Sequence, residues 1–87
     1  MNRYYEGSVR SELERRLVLY AVRLSRVGAS VTSIRLAIGS ENDPWEEHRL
    51  PEIDVDEIAF LVATWPPDKR LRAKEVIMAL RRVRASR

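Results

Sequence analysis

The sequence predicts an all-α protein, a small single-domain bundle of three long helices, one short helix and an irregular connector. The chain has 87 residues, enough for one domain. Apolar residues recur at helical spacing in its longer segments. Glycine and proline, which end helices, stand between those segments. We therefore treat residues 1–87 as a single helical domain.

The first helix is predicted to begin near Ser11. Ser11 and Glu14 have the S-x-x-E spacing of a capping box, in which each side chain accepts from an otherwise unpaired backbone N–H. Residues 1–10 are then a flexible N-terminus. Five apolar residues at spacings of four and three define the core face of this helix: Leu13, Leu17, Tyr20, Leu24 and Val27.

Three further apolar residues of the first helix, Val18, Leu19 and Val22, lie off this stripe. The helix is therefore apolar on more of its circumference than one packed face requires. It is either central in the fold or shared with another chain. We take the three residues as a candidate protein interface and expect a homodimer or an obligate partner.

A turn and a short second helix follow. Gly28 tolerates left-handed geometry, Ser30 can cap a helix over residues 31–38, and Gly39 ends it. The same punctuation is typical of a DNA-binding helix-turn-helix, in which Arg35, Thr32 and Ser33 would face the bases. A plain helical hairpin that binds no DNA has the same Gly-x-Ser pattern in its turn.

Residues 39–53 are predicted to be an irregular, acidic connector, anchored by Trp45 and Leu50. A third helix then runs from a cap at Asp54 or Asp56 to about Thr64. A fourth begins at about Pro67 and ends at Val83 or Arg84. The three long helices should bury the Leu13/Leu17/Leu24, Ile58/Leu61/Val62 and Val76/Leu80/Val83 faces, with Trp45, Phe60 and Trp65 closing the edges.

Charge is strongly segregated along the chain. Residues 1–38 hold seven Arg and three Glu, net +4, and residues 39–57 hold eight acids and Arg49, net −7. Residues 58–87 hold eight Lys or Arg and two acids, net +6. The two basic segments suit an anionic partner, unless the acidic connector folds back and neutralises them.

The basic residues of the fourth helix form a cationic ridge on an ideal helix. Lys74, Arg81 and Arg84 fall within about 40° of Arg70, away from the apolar arc. The ridge could contact phosphates or an acidic protein surface, or it could be a solvated face. If it is exposed, reversing Arg81 and Arg84 should change the free energy of unfolding by less than about 1 kcal/mol.

Residues for catalysis or for a cofactor are lacking. The chain has one His, no Cys and no glycine-rich phosphate loop. Glu46, Glu47, His48 and Asp54 match no metal-ligand spacing, and capping and solvation explain these side chains without a metal. We expect no enzyme, cofactor or metal. No apolar run approaches the ~20 residues of a membrane span, and the absence of cysteine fits a cytoplasmic protein without a membrane contact.

The order of several segments resembles lambdoid-phage Q-type late antitermination proteins. The segments are Leu13-Glu14-Arg15, Thr32 to Ala37, Leu50-Pro51, Asp54 to Ala59 and the turn Trp65 to Arg72. The resemblance is to the N-terminal two-thirds of that family and covers nearly the whole chain. It implies a partner in RNA polymerase or DNA. In the family a helix-turn-helix follows the segment matching residues 67–84, whereas this sequence stops at Arg87.

Two functional hypotheses result. The first is a phage-type regulator of transcription that contacts RNA polymerase or DNA through the cationic ridge. The second is an inhibitor or adaptor that blocks a host protein through the apolar surface of the first helix and binds no nucleic acid. A steep salt dependence of binding would favour phosphate contacts and a shallow one an apolar interface.

Overall fold

The computed structural model describes the backbone of residues 2–87 and the side chains of residues 9–87. Over these residues the chain forms four α-helices and no strand, which confirms the predicted all-α fold: α1 (Asn2–Arg26), α2 (Val31–Asn42), α3 (Glu52–Ala63) and α4 (Ala73–Ala85). A 3-10 segment, Asp43–His48, continues directly from α2. No helix in the described part of the chain is long and apolar enough to cross a membrane.

The first helix is the centre of the bundle. It packs against α2, α3 and α4. Its buried apolar side chains, Leu13, Leu17, Val18, Ala21 and Val22, extend over about half of the helix circumference. The wide apolar surface of α1 therefore reflects a central position in the fold, because three neighbouring helices cover it.

The predicted start of α1 is wrong. The helix begins at Asn2, so Ser11 and Glu14 lie inside it rather than at its N-terminus. The S-x-x-E spacing was misleading because Glu14 is buried and serves a different contact. The predicted flexibility of residues 1–10 concerns a stretch whose side chains lie largely outside the described residues, and it stays a prediction.

The turn between α1 and α2 is formed as the sequence predicts. Gly28 has φ +85°, and the Ser30 side chain accepts a hydrogen bond from the Ser33 backbone N–H at 3.1 Å. Val27 lies in this turn and is 80% exposed, so it does not belong to the core face. The helix α2 also runs through Gly39 to Asn42, since one glycine costs only about 1 kcal/mol and Ile38 is buried beside it.

The irregular connector is shorter than predicted and is fixed at both ends. The Asn42 side chain donates to the Leu50 carbonyl and accepts from the Leu50 N–H, both at 2.9 Å. Leu50 is buried, and the Arg16 guanidinium lies 5.6 Å from the centre of the half-buried Trp45 ring. Trp45 and Leu50 are therefore the anchors that the sequence indicated.

The last two helices differ from prediction at their starts. The helix α3 begins at Glu52, so Asp54 is buried inside it instead of capping it. The helix α4 begins at Ala73, and the segment before it is an irregular turn in which Trp65 Nε1 donates to the Arg70 carbonyl at 3.2 Å. The predicted core faces are otherwise present except for Val83, which is half-buried and outside the core cluster. Phe60 is 57% exposed and closes no edge.

Candidate functional site

A groove of about 500 Å³ lies between α1 and α4. Three of its lining residues have large apolar side chains and three are basic: Leu19, Ile77 and Met78, and Arg15, Lys74 and Arg81. Leu19 is 37% exposed and Met78 is 45% exposed, so both side chains are accessible to a partner. Ala73 completes the lining, so within residues 9–87 the groove has no acidic residue in its walls.

Helical spacing brings these side chains together. Arg15 and Leu19 are four residues apart on α1, and Lys74, Met78 and Arg81 are four and three apart on α4. Val18 on α1 and Val76 and Leu80 on α4 are fully buried, and they hold the two helices in place. The groove is therefore built on two rigid helices and not on a loop.

The basic residues of the groove are available to a partner. Within residues 9–87, neither Arg15 nor Lys74 forms an ion pair. Arg81 has one long contact, 3.9 Å from its Nη2 to Glu14 Oε1, and its side chain is 63% exposed. These charges interact with solvent, so binding an anionic group would break no strong internal ion pair.

A second group of charges, the buried ion cluster of Glu14, Asp54, Arg84 and Arg87, joins α1, α3 and the C-terminal end of α4. Arg84 Nη2 lies 2.5 Å from Glu14 Oε2 and 3.3 Å from Asp54 Oδ2, and Arg87 Nη1 lies 2.8 Å from Asp54 Oδ1. Both carboxylates are about 95% buried. Buried acids of this kind persist only with such partners.

The cluster also stabilises the charged form of Arg84. Burial alone lowers the pKa of Arg84, but the hydrogen bond and the charge of Glu14, followed by those of Asp54, outweigh burial and raise the pKa above its ordinary value. Arginine is protonated at physiological pH in any case, so the cluster stabilises a charge that Arg84 already has. We interpret the cluster as a set of ion pairs that stabilises the packing of α1, α3 and α4 against one another.

The predicted cationic ridge is therefore wrong as a single surface. Lys74 and Arg81 line the groove, Arg70 lies in the turn before α4, and Arg84 points inward to the two carboxylates. The ridge fails for two reasons. The helix begins at Ala73 and so does not include Arg70, and Arg84 lies at the edge of the apolar arc, where it meets buried carboxylates and not solvent.

The predicted protein interface is also largely wrong. Val18 and Val22 are 0% and 3% exposed and belong to the protein's own core, so they cannot contact another chain. Leu19 alone of the three reaches the surface, where it lines the groove. The argument for a homodimer through these three residues is therefore lost.

The residues assigned to DNA reading do not form a basic surface. Arg35 is held by Asp56 and lies 3.5 Å from Glu52, both on α3. Thr32 and Ser33 are exposed on the first turn of α2. Phosphates approaching Arg35 would meet the two carboxylates that already neutralise it, so this position does not favour DNA.

The acidic residues considered as metal ligands lie apart. Glu46, Glu47 and His48 are on the 3-10 segment, whereas Asp54 belongs to the buried ion cluster. In the part of the chain that the structure describes, no group of three or more His, Cys, Asp or Glu is close enough to hold a metal ion.

Sequence reasoning missed both the groove and the buried ion cluster. Glu14 stands beside Leu13 on the buried side of α1, and an acid in that position was a signal for a basic partner. Arg15, Ile77 and Met78 gave no such signal, because only the packing of α4 against α1 brings them together.

Comparisons of the chain with protein-family models, with curated proteins and with solved structures found no match.

Proposed function

We propose that this protein is a small regulatory binding protein, without catalytic activity, that acts in the cytoplasm by binding an acidic partner in the α1–α4 groove. The observation that carries the proposal is that one groove combines exposed apolar side chains with two basic residues, Arg15 and Lys74, that form no ion pair within residues 9–87. Protein interfaces commonly combine an apolar centre with polar surroundings. Such a partner would cover Leu19 and Met78 and neutralise Arg15 and Lys74.

An acidic protein segment suits this groove better than a nucleic acid. Phosphates would use the basic residues but leave Leu19, Ile77 and Met78 uncovered, and surfaces that bind DNA are more polar and more densely basic. An amphipathic helix laid along two helices would use both kinds of residue. DNA binding is therefore the alternative that the experiment has to separate.

For the identity of the partner, we propose RNA polymerase, with the protein acting as a phage-type regulator of transcription. This part rests on the resemblance to antitermination proteins alone. The second hypothesis, an inhibitor of a different host protein, uses the same groove and changes only the partner. The groove proposal and the polymerase proposal can therefore fail separately.

The test compares two double variants that change charge equally. Arg15→Glu with Lys74→Glu reverses the groove, and Lys69→Glu with Arg82→Glu reverses two exposed basic residues outside it. Each protein is titrated with purified bacterial RNA polymerase and with a DNA duplex of arbitrary sequence. We expect polymerase binding to weaken at least tenfold for the groove variant and less than twofold for the control.

Three results would count against the proposal. Equal affinity of both variants for polymerase would show that the groove is not the binding site. If the protein binds DNA tightly, loses this affinity steeply with salt and loses it in the groove variant, the groove binds phosphates and not an acidic protein segment. Lack of any polymerase binding by the wild-type protein would remove the transcription hypothesis.

A further inference from the structure

The helix α3 carries a second exposed apolar surface, on the side away from the core. Ile53 is 51% exposed and Phe60 is 57% exposed. They are seven residues apart, which places them within about 20° of each other around the helix. Asp56 and Glu57 lie between them along this face. We call these four residues the α3 stripe.

The α3 stripe is the electrostatic opposite of the groove. Three acids lie in the stripe or next to it, Glu52, Asp56 and Glu57. One base, Arg35, pairs with Asp56 and Glu52, so these four side chains keep an acidic excess of two charges (three acids against one base). The groove has three basic residues in its lining and no acid. Both surfaces have apolar side chains among the charges. The spacing of the stripe, at positions i, i+3, i+4 and i+7, is also that of a helix that binds in a groove.

One molecule cannot join its own two surfaces. The buried side of α3 packs against α1, α2 and α4, whereas Ile53 and Phe60 lie on its opposite, exposed side, so the stripe points away from the α1–α4 groove. We propose that a second copy of this chain docks its α3 stripe into the α1–α4 groove. The contact is head-to-tail: each molecule offers a groove to one neighbour and a stripe to another.

This inference uses the groove assigned above to the partner, and it adds a consequence. A second copy and the acidic partner compete for the same residues, including Arg15, Lys74 and Met78. Self-association therefore opposes partner binding and increases with protein concentration. A head-to-tail contact also leaves a free groove and a free stripe at the ends of each assembly, so growth continues unless a ring closes.

Sedimentation velocity of the whole chain between about 10 and 500 µM tests the proposal at low salt. The wild-type protein should increase in mean mass with concentration. Arg15→Glu with Lys74→Glu, which makes the groove acidic, should remain monomeric. Asp56→Lys with Glu57→Lys, which makes the stripe basic, should also remain monomeric. An equimolar mixture of these two variants should associate again, because each then offers a surface complementary to the other.

Mean masses above that of a dimer in the wild-type protein would identify a head-to-tail contact, because a symmetric two-fold contact closes at the dimer. Ile53→Ser with Phe60→Ser removes the apolar part of the stripe at exposed positions, and it tests the same contact if the lysine variant folds poorly. Lys69→Glu with Arg82→Glu should associate like wild type. A wild-type protein that stays monomeric at 500 µM would overturn the proposal. So would unchanged association of the stripe variants. Because the stripe variants keep an intact groove, polymerase binding by them reports on the proposed function separately.

Discussion

The buried ion cluster and the α1–α4 groove both contain basic side chains of α4 that lie beside α1, with different results. In the cluster, Arg84 lies against two carboxylates that are almost completely buried. In the groove, Arg15 and Lys74 lie beside exposed apolar side chains and have no acidic partner among residues 9–87. The number of basic residues on a helix does not show which of them are available to a partner. Availability depends on whether each residue already forms an ion pair within the protein.

The largest expected effect concerns the buried ion cluster. Arg84→Met keeps much of the side-chain volume but leaves Glu14 without its 2.5 Å partner. Breaking a buried ion pair from one side typically costs 3–5 kcal/mol, and we expect about 3 kcal/mol because Arg84 is itself 30% exposed. Urea denaturation measures this change in the free energy of unfolding. The control, Arg82→Met, should change the free energy of unfolding by less than about 0.5 kcal/mol.

This prediction replaces the expectation that Arg81 and Arg84 could be reversed together without loss of stability. Glutamate at position 84 would place a third carboxylate beside Glu14 and Asp54. If Arg84→Met and Arg82→Met unfold at the same urea concentration, the cluster contributes nothing and Arg84 belongs with the surface residues.

A smaller effect separates two neighbours on α1. Val18→Ala removes two buried methyl groups and should lower the free energy of unfolding by about 2 kcal/mol. Leu19→Ala removes a larger but partly exposed side chain from the groove and should cost less than about 1 kcal/mol. Thermal unfolding of both variants provides the comparison. A larger loss for Leu19→Ala would mean that the groove side chain belongs to the core.

The sequence predicted those parts of the fold that depend on local chemistry. Periodic apolar residues located the helices, and Gly28 and Ser30 form the turn that their chemistry favours. Helix starts were less predictable. Asp54 looks like a cap in sequence, but the packing of α3 buries it against Arg84 and Arg87. Ser11 and Glu14 match a capping box, yet backbone hydrogen bonds continue through them to Asn2.

The candidate site was predicted only in part. Leu19, Lys74 and Arg81 were selected from the sequence and do line the groove. They were assigned to two separate surfaces, because nothing local to either helix indicates that α1 and α4 pack side by side. Arg84 was assigned to the same surface as Arg81, since periodicity gives an angle around a helix but not the residues that face it.

The chain offers a direct probe of the groove, because its only methionines are Met1 and Met78. Labelling methionine methyl groups with ¹³C therefore places one NMR signal in the groove, and Met78→Leu assigns it. On addition of purified RNA polymerase, we predict that the Met78 methyl signal shifts or broadens in the wild-type protein and in Lys69→Glu/Arg82→Glu, but not in Arg15→Glu/Lys74→Glu. An unchanged Met78 signal in a sample where polymerase is bound would contradict the assignment of the groove as the binding site.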